Sequence, residues 1–133
     1  MNLQNCKRKH KPVNQMRKIT STNYINAQTL HGLCDAAYTL SILSGRWKLT
    51  LLVKLGEGSK RFSELKTQLP VITERILALQ LKELEKSGLI LKKESTVKSK
   101  LYNYELSPLG RSLDQVIQSL SDWGKVNNLQ PEL

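Results

Sequence analysis

The stretch from Phe62 to Gly88, FSELKTQLPVITERILALQLKELEKSG, constrains the fold more than any other. It holds two helical segments parted by a break. Pro70 cannot continue a helix, and it also disfavours helical geometry at Leu69. Before the break, roughly from Phe62 to Gln68, the residues Phe62, Leu65 and Leu69 form an inward side. After it, Thr73 is suited to cap a second helix, because its hydroxyl can accept a first-turn N–H. Beyond Thr73, Leu77, Leu81 and Leu84 recur at a four-then-three spacing and share one helical face. The opposite face carries Glu74, Arg75, Ala78, Leu79 and Lys82. A short supporting helix, a tight turn and a leucine-anchored helix with a mixed polar face meet the needs of a helix-turn-helix that reads DNA.

Charge points the same way. The 133 residues contain 21 Lys plus Arg against 11 Asp plus Glu, a net charge of +10. A balance this basic favours a polyanionic partner, either nucleic acid or an acidic membrane surface. No apolar run approaches the ~18 residues that a transmembrane helix requires. The first residues lack the apolar segment of a secretory signal. Cys6 and Cys34 lie far apart, with neither a disulfide framework nor a C-x-x-C metal spacing, so a reducing cytoplasmic setting is expected.

The charge is unevenly spread. Residues 1–25 form a basic arm with Lys7, Arg8, Lys9, Lys11, Arg17 and Lys18, and no acid occurs before Asp35. The arm is expected to be poorly ordered alone. It can follow phosphates, enter a minor groove or remain a solvated tail. Met16 offers an alternative start of translation.

The rest of the chain supplies a frame. A first helix is expected near Asp35 to Leu43, and a second from about Arg46 to Leu55, with Trp47, Leu51 and Leu55 on one face. After Gly88 the period becomes two. Leu89-Ile90-Leu91 is one short strand, and Tyr102, Tyr104 and Leu106 alternate along another. Between them Lys92 to Lys100 forms a basic tip. A hairpin directly after a reading helix is a wing. Ser107-Pro108 then starts a helix, and Leu109, Leu113, Val116, Ile117, Leu120 and Trp123 make a wide apolar stripe. The expected fold is mainly α with a small antiparallel β-hairpin wing, a winged helix-turn-helix with extra N- and C-terminal dimerisation helices.

From Cys34 onward the chain resembles the HxlR-type winged helix-turn-helix regulators of bacteria, relatives of the MarR group. Three patches carry the resemblance. The first is Cys34 followed by Ile42-Leu43-Ser44-Gly45-Arg46-Trp47-Lys48. The second is Lys60-Arg61-Phe62-Ser63-Glu64-Leu65 with Leu69-Pro70 and Ile72-Thr73. The third runs from Leu77 through Leu81-Lys82-Glu83-Leu84 to Gly88-Leu89, then Tyr104-Glu105-Leu106-Ser107-Pro108-Leu109-Gly110. The chain departs from the family's pattern at Asp35, where proline is frequent, and at Ser44, where a second glycine is. Ala78 and Leu79 stand where polar residues are usual. The resemblance implies a DNA-binding domain over residues 34–132.

Site expectations follow. For base readout the candidates are Thr73, Glu74, Arg75, Ala78 and Leu79. The guanidinium of Arg75 can pair with both acceptors of guanine, and Ala78 and Leu79 can pack on a thymine methyl. For phosphate the candidates are Arg46, Lys48, Lys60, Arg61, Ser63, Lys82, Lys98 and Lys100. From Gly45 to Tyr104 there are 13 positive and 6 negative residues, so affinity should fall steeply with salt. Leu40, Leu109, Leu113, Val116, Ile117, Leu120 and Trp123 are candidates for a homodimer interface, since palindromic operators pair two reading helices. The alternative is that these residues cover the core.

Cys34 is a candidate sensor of oxidants or electrophiles, because the resemblance extends to regulators that sense at the equivalent cysteine. The alternative is a small buried hydrophobe. Double-stranded DNA is the expected partner, with a small-molecule or oxidant effector open. No cofactor, metal site or membrane association is expected, and no catalytic constellation is present. The expected location is cytoplasmic, on the bacterial nucleoid. The competing reading is a non-specific nucleic-acid-binding or architectural protein.

Overall fold

The computed structural model describes Gly32 and residues 34–97 and 100–128. The arm at 1–25, with Cys6, His10 and Met16, lies outside the described residues, as do His31 and Lys98. The chain divides into two units between Ser44 and Gly45.

The described part of the first unit is helix α1 (Asp35–Leu43), which matches the expected span. Cys34 is its N-cap in extended geometry. The hydroxyls of Thr39 and Ser41 donate back to the carbonyls of Asp35 and Tyr38, at 2.9 and 2.6 Å.

The second unit runs α2 (Lys48–Gly56), β1 (Lys60–Arg61), α3 (Phe62–Gln68), α4 (Glu74–Lys86), β2 (Ile90–Glu94), β3 (Tyr102–Leu106), α5 (Pro108–Arg111) and α6 (Asp114–Val126). The strands form one antiparallel sheet in the order β1-β3-β2. Its core is almost wholly leucine and isoleucine. Leu51, Leu52 and Leu55 come from α2, Leu65 from α3, Ile72 from the turn, and Leu77, Leu81 and Leu84 from α4, with Leu89, Ile90 and Leu106 at the root of the hairpin. Each such side chain contributes about 1.5–3 kcal/mol on burial, which fixes the roll of α4 about its axis. Among the described residues no helix is long and apolar enough to cross a membrane.

The join between α4 and the hairpin is tightly made. Gly88 takes a left-handed φ of 75°. The Leu89 amide donates to the Leu84 carbonyl at 3.1 Å and the Gly88 amide to the Glu85 carbonyl at 3.0 Å, the paired bonds of a Schellman ending. Ser107 closes the other side. Its hydroxyl donates to the Gly88 carbonyl at 2.5 Å and accepts from the Gly110 amide at 3.0 Å, while its own amide donates to the Leu89 carbonyl at 3.0 Å.

The observed elements differ from the expected ones in four places. Helix α2 starts at Lys48, because Arg46 and Trp47 form a turn. Strand β2 continues to Glu94, so Lys92 and Lys93 belong to the ladder rather than the tip. Strand β1 was not expected, being two charged residues held by pairing with Asn103 and Tyr104. The C-terminal stripe is broken at Ser112-Leu113 into α5 and α6. There the Leu113 amide bonds three residues back to Gly110, which tightens the turn.

Candidate nucleic-acid interface

Helix α4 is capped as its sequence requires, the Thr73 hydroxyl accepting from the Ile76 amide at 3.2 Å. Glu74 stands in the first turn, where a carboxylate favours the positive end of the helix dipole. With Leu77, Leu81 and Leu84 buried, the opposite face turns outward. Thr73, Glu74, Arg75, Ala78, Leu79 and Lys82 are all exposed. Leu79 retains 48% of its surface, a large apolar side chain in an otherwise polar stripe. The 13 residues of α4 span about 20 Å, enough to lie in a major groove. Among the described residues neither Arg75 nor Lys82 is in an ion pair, and both remain available to a ligand.

Two lysines hold this helix in place. Lys48 of α2 puts Nζ 2.9 Å from Glu83 Oε2, with its side chain only 16% exposed. It therefore braces α2 against α4, with its ammonium paired to Glu83. Lys66 of α3 donates from Nζ to the carbonyls of Pro70 and Ile72, at 3.0 and 2.6 Å. It closes the turn between the two helices. Sequence reasoning missed Lys66, because a lysine that satisfies turn carbonyls has no local spacing signature.

The remaining phosphate candidates separate. Lys60 is also turned inward, its side chain 14% exposed and its Nζ 3.8 Å from Glu57 Oε2. Arg61 and Ser63 stand at the start of α3, where the Glu64 carboxylate accepts from the Arg61 amide at 2.7 Å. Lys100, at φ 73°, turns the chain back into β3, and its amide donates to Glu94 at 3.2 Å. Arg46 is exposed, its guanidinium 5.7 Å from the centre of the half-buried Trp47 ring. Arg61, Ser63 and Lys100 line one concavity of about 390 Å3, together with Lys92, Tyr102 and Tyr104. Lys92 and the two tyrosines were not singled out from the sequence as site residues.

A reading helix on a leucine core, a turn and a basic hairpin are thus in place, and the comparisons decide the family. The HxlR-like helix-turn-helix family model matches residues 42–132. The chain belongs to that family. It is similar to the uncharacterized HTH-type transcriptional regulator YdeP of Bacillus subtilis (strain 168), 41% identical over 92 residues that cover 69% of this chain and 72% of the relative. YdzF of the same organism, with the same description, is 43% identical over 88 residues, 65% of this chain and 81% of the relative. Among solved structures, the redox regulator HypR in its reduced form is 34% identical, with a TM-score of 0.64, covering 71% of this chain and 93% of that one. The reduced form of the transcriptional regulator YodB from B. subtilis is 27% identical, with a TM-score of 0.65, covering 74% and 98%. This HxlR-like chain is therefore a winged helix-turn-helix transcriptional regulator that acts on DNA.

Away from the reading helix, the HxlR-like chain leaves apolar surface uncovered. No residue of α6 is buried. Val116, Leu120 and Trp123 are exposed on it, Trp123 by 62%, and Leu109 is exposed on α5. Leu113 and Ile117 are half-buried. Leu40 is exposed on α1, and Cys34 is half-buried at its start.

Proposed function

We propose that this HxlR-like regulator is a homodimer that recognises a specific, palindromic duplex sequence. Residues 34–132 act as the DNA-binding and dimerisation domain, and the arm at 1–25 adds sequence-independent charge. Helix α4 enters the major groove. Arg75 pairs with guanine, Ala78 and Leu79 meet thymine methyls, and Thr73 and Glu74 complete the reading face. Arg46, Arg61, Ser63, Lys82 and Lys100 take backbone phosphates, joined by Lys98 at the wing, which lies on the backbone or in the minor groove.

The observation that supports this reading best is the uncovered face of α4, where Arg75 and Lys82 have no ion-pair partner among the described residues while its leucines are buried. The dimer rests on the apolar face of Val116, Ile117, Leu120 and Trp123, continued by Leu109 and Leu113, with Leu40 of α1 contributing. The chain acts on the cytoplasmic nucleoid and performs no catalysis. Selection from a random-sequence duplex pool, followed by footprinting, tests the whole. The expected product is an inverted repeat with half-sites about 34 Å apart. Equal affinity for selected and scrambled duplexes would instead establish a non-specific nucleic-acid binder.

A second reading concerns regulation. Structures similar to this chain are described as the reduced and oxidized forms of HypR and as diamide-treated YodB. Cys34 is the cysteine of this chain that lies in the described region, and oxidation there is proposed to alter DNA affinity. Mild oxidant should shift the affinity of the unaltered protein and not that of Cys34→Ser. An unshifted affinity in the unaltered protein removes Cys34 from the mechanism.

A further inference from the structure

Lys92 and Lys93 are adjacent on β2, and the pleat sends them to opposite faces of the wing. Their fates differ. Lys93 Nζ lies 2.5 Å from Glu105 Oε1, so its charge is cancelled. Lys92 lies on the other face, opposite Tyr104 and diagonal to Tyr102. Its ammonium sits 4.5 Å from the centre of the Tyr102 ring and 5.9 Å from that of Tyr104. Among the described residues it has no carboxylate partner. An aromatic ring attracts a cation through its quadrupole and orders the side chain, yet it leaves the full positive charge in place. A carboxylate would order the lysine and remove the charge.

The ordered ammonium faces the concavity of about 390 Å3 that Arg61, Ser63 and Lys100 also line. Three cations and a hydroxyl therefore converge from two separate segments, the start of α3 and the wing. Of the nearby carboxylates, Glu64 accepts from the Arg61 amide and Glu94 from the Lys100 amide, and among the described residues neither forms an ion pair with the three cations. The two tyrosines give the concavity an apolar wall. Cationic donors against a flat apolar wall suit one phosphodiester group and the deoxyribose attached to it.

We propose that this concavity is a phosphate clamp for the DNA backbone, with Lys92, preset by Tyr102 and Tyr104, as its central cation. The proposal rests on the DNA-binding reading above and adds Lys92, Tyr102 and Tyr104 to it. One phosphodiester is held between the wing and α3, so the wing bears on the duplex through the Lys92 face and not through the Lys93 face.

The test uses the full chain and a selected duplex. Lys92→Met should lower affinity roughly tenfold at moderate salt. It should also flatten the slope of log affinity against log salt by about 0.9, the contribution of one phosphate. Lys93→Met should leave that slope unchanged. Tyr102→Leu should lose roughly threefold and Tyr102→Phe nothing, because phenylalanine keeps the ring. Duplexes carrying one neutral methylphosphonate at a time give a second readout. One position should weaken the unaltered protein and have no effect on Lys92→Met. Thermal unfolding matched to the unaltered chain shows that each variant is folded. If the unaltered protein binds with a steep salt slope but Lys92→Met keeps that slope, the clamp is wrong and DNA binding stands. If the unaltered protein binds no duplex, both fall.

Discussion

Lys48 Nζ and Glu83 Oε2 lie 2.9 Å apart, joining α2 to the reading helix from behind. Such a half-buried pair is worth more than a solvated one, though Glu83 keeps enough water to limit it. Lys48→Met should cost about 1 kcal/mol, or a few degrees of melting temperature for a unit of this size. The salt dependence of DNA affinity should stay as it was, because the ammonium is already occupied. A flatter salt slope would show that Lys48 leaves Glu83 and meets phosphate in the complex.

Arg75 is the residue of α4 best suited to recognising a base. Arg75→Ala should weaken binding to a selected duplex by about 1–3 kcal/mol and relax preference at one base pair, with little effect on scrambled DNA. Competition binding against both duplexes separates the outcomes. Equal losses would mean that Arg75 contacts phosphate.

Gly110 is required by space rather than by its torsion angles. A Cβ built there collides with the carbonyl oxygen of Leu89, which is backbone and cannot swing aside. Gly110→Ala should therefore destabilise the fold by about 3 kcal/mol or more. Chemical denaturation would measure it, and a wild-type midpoint would mean that α5 is not held against the strand.

Trp123 and Leu120 are exposed apolar side chains of α6, by 62% and 41%. The double variant Leu120→Glu with Trp123→Glu should yield a folded monomer by light scattering, since neither side chain contributes to the protomer core. Palindromic DNA should then be bound far more weakly, and single half-sites about as before. A monomeric unaltered protein at micromolar concentration would refute the dimer.

Much of this architecture could be read from the chain. The span of α1, the leucines of α4, the Thr73 cap and the Ser107-Pro108 start follow from spacing and local hydrogen bonding, and the structure has them where periodicity puts them. What escaped was set by particular partners rather than by spacing. Strand β1 is two charged residues whose extended state exists only through pairing with β3. The inward turns of Lys48 and Lys60 depend on Glu83 and Glu57, the first of them 35 positions away, and a positive side chain alone does not say whether it faces solvent or a carboxylate. Lys92 looked like one more charge of a basic tip. Its ladder position sets it over two rings.

The end of the reading helix and the root of the wing share hydrogen bonds through Gly88, Leu89 and Ser107. Helix and wing therefore move together, with little freedom to adjust their separation to the duplex. In a complex that fills both grooves, the adjustment falls to the DNA. Sequences that bend or narrow at low cost between the two contacts gain affinity at positions no side chain touches. We expect the operator of this protein to be selected partly by its stiffness, with base pairs outside the reach of α4 contributing.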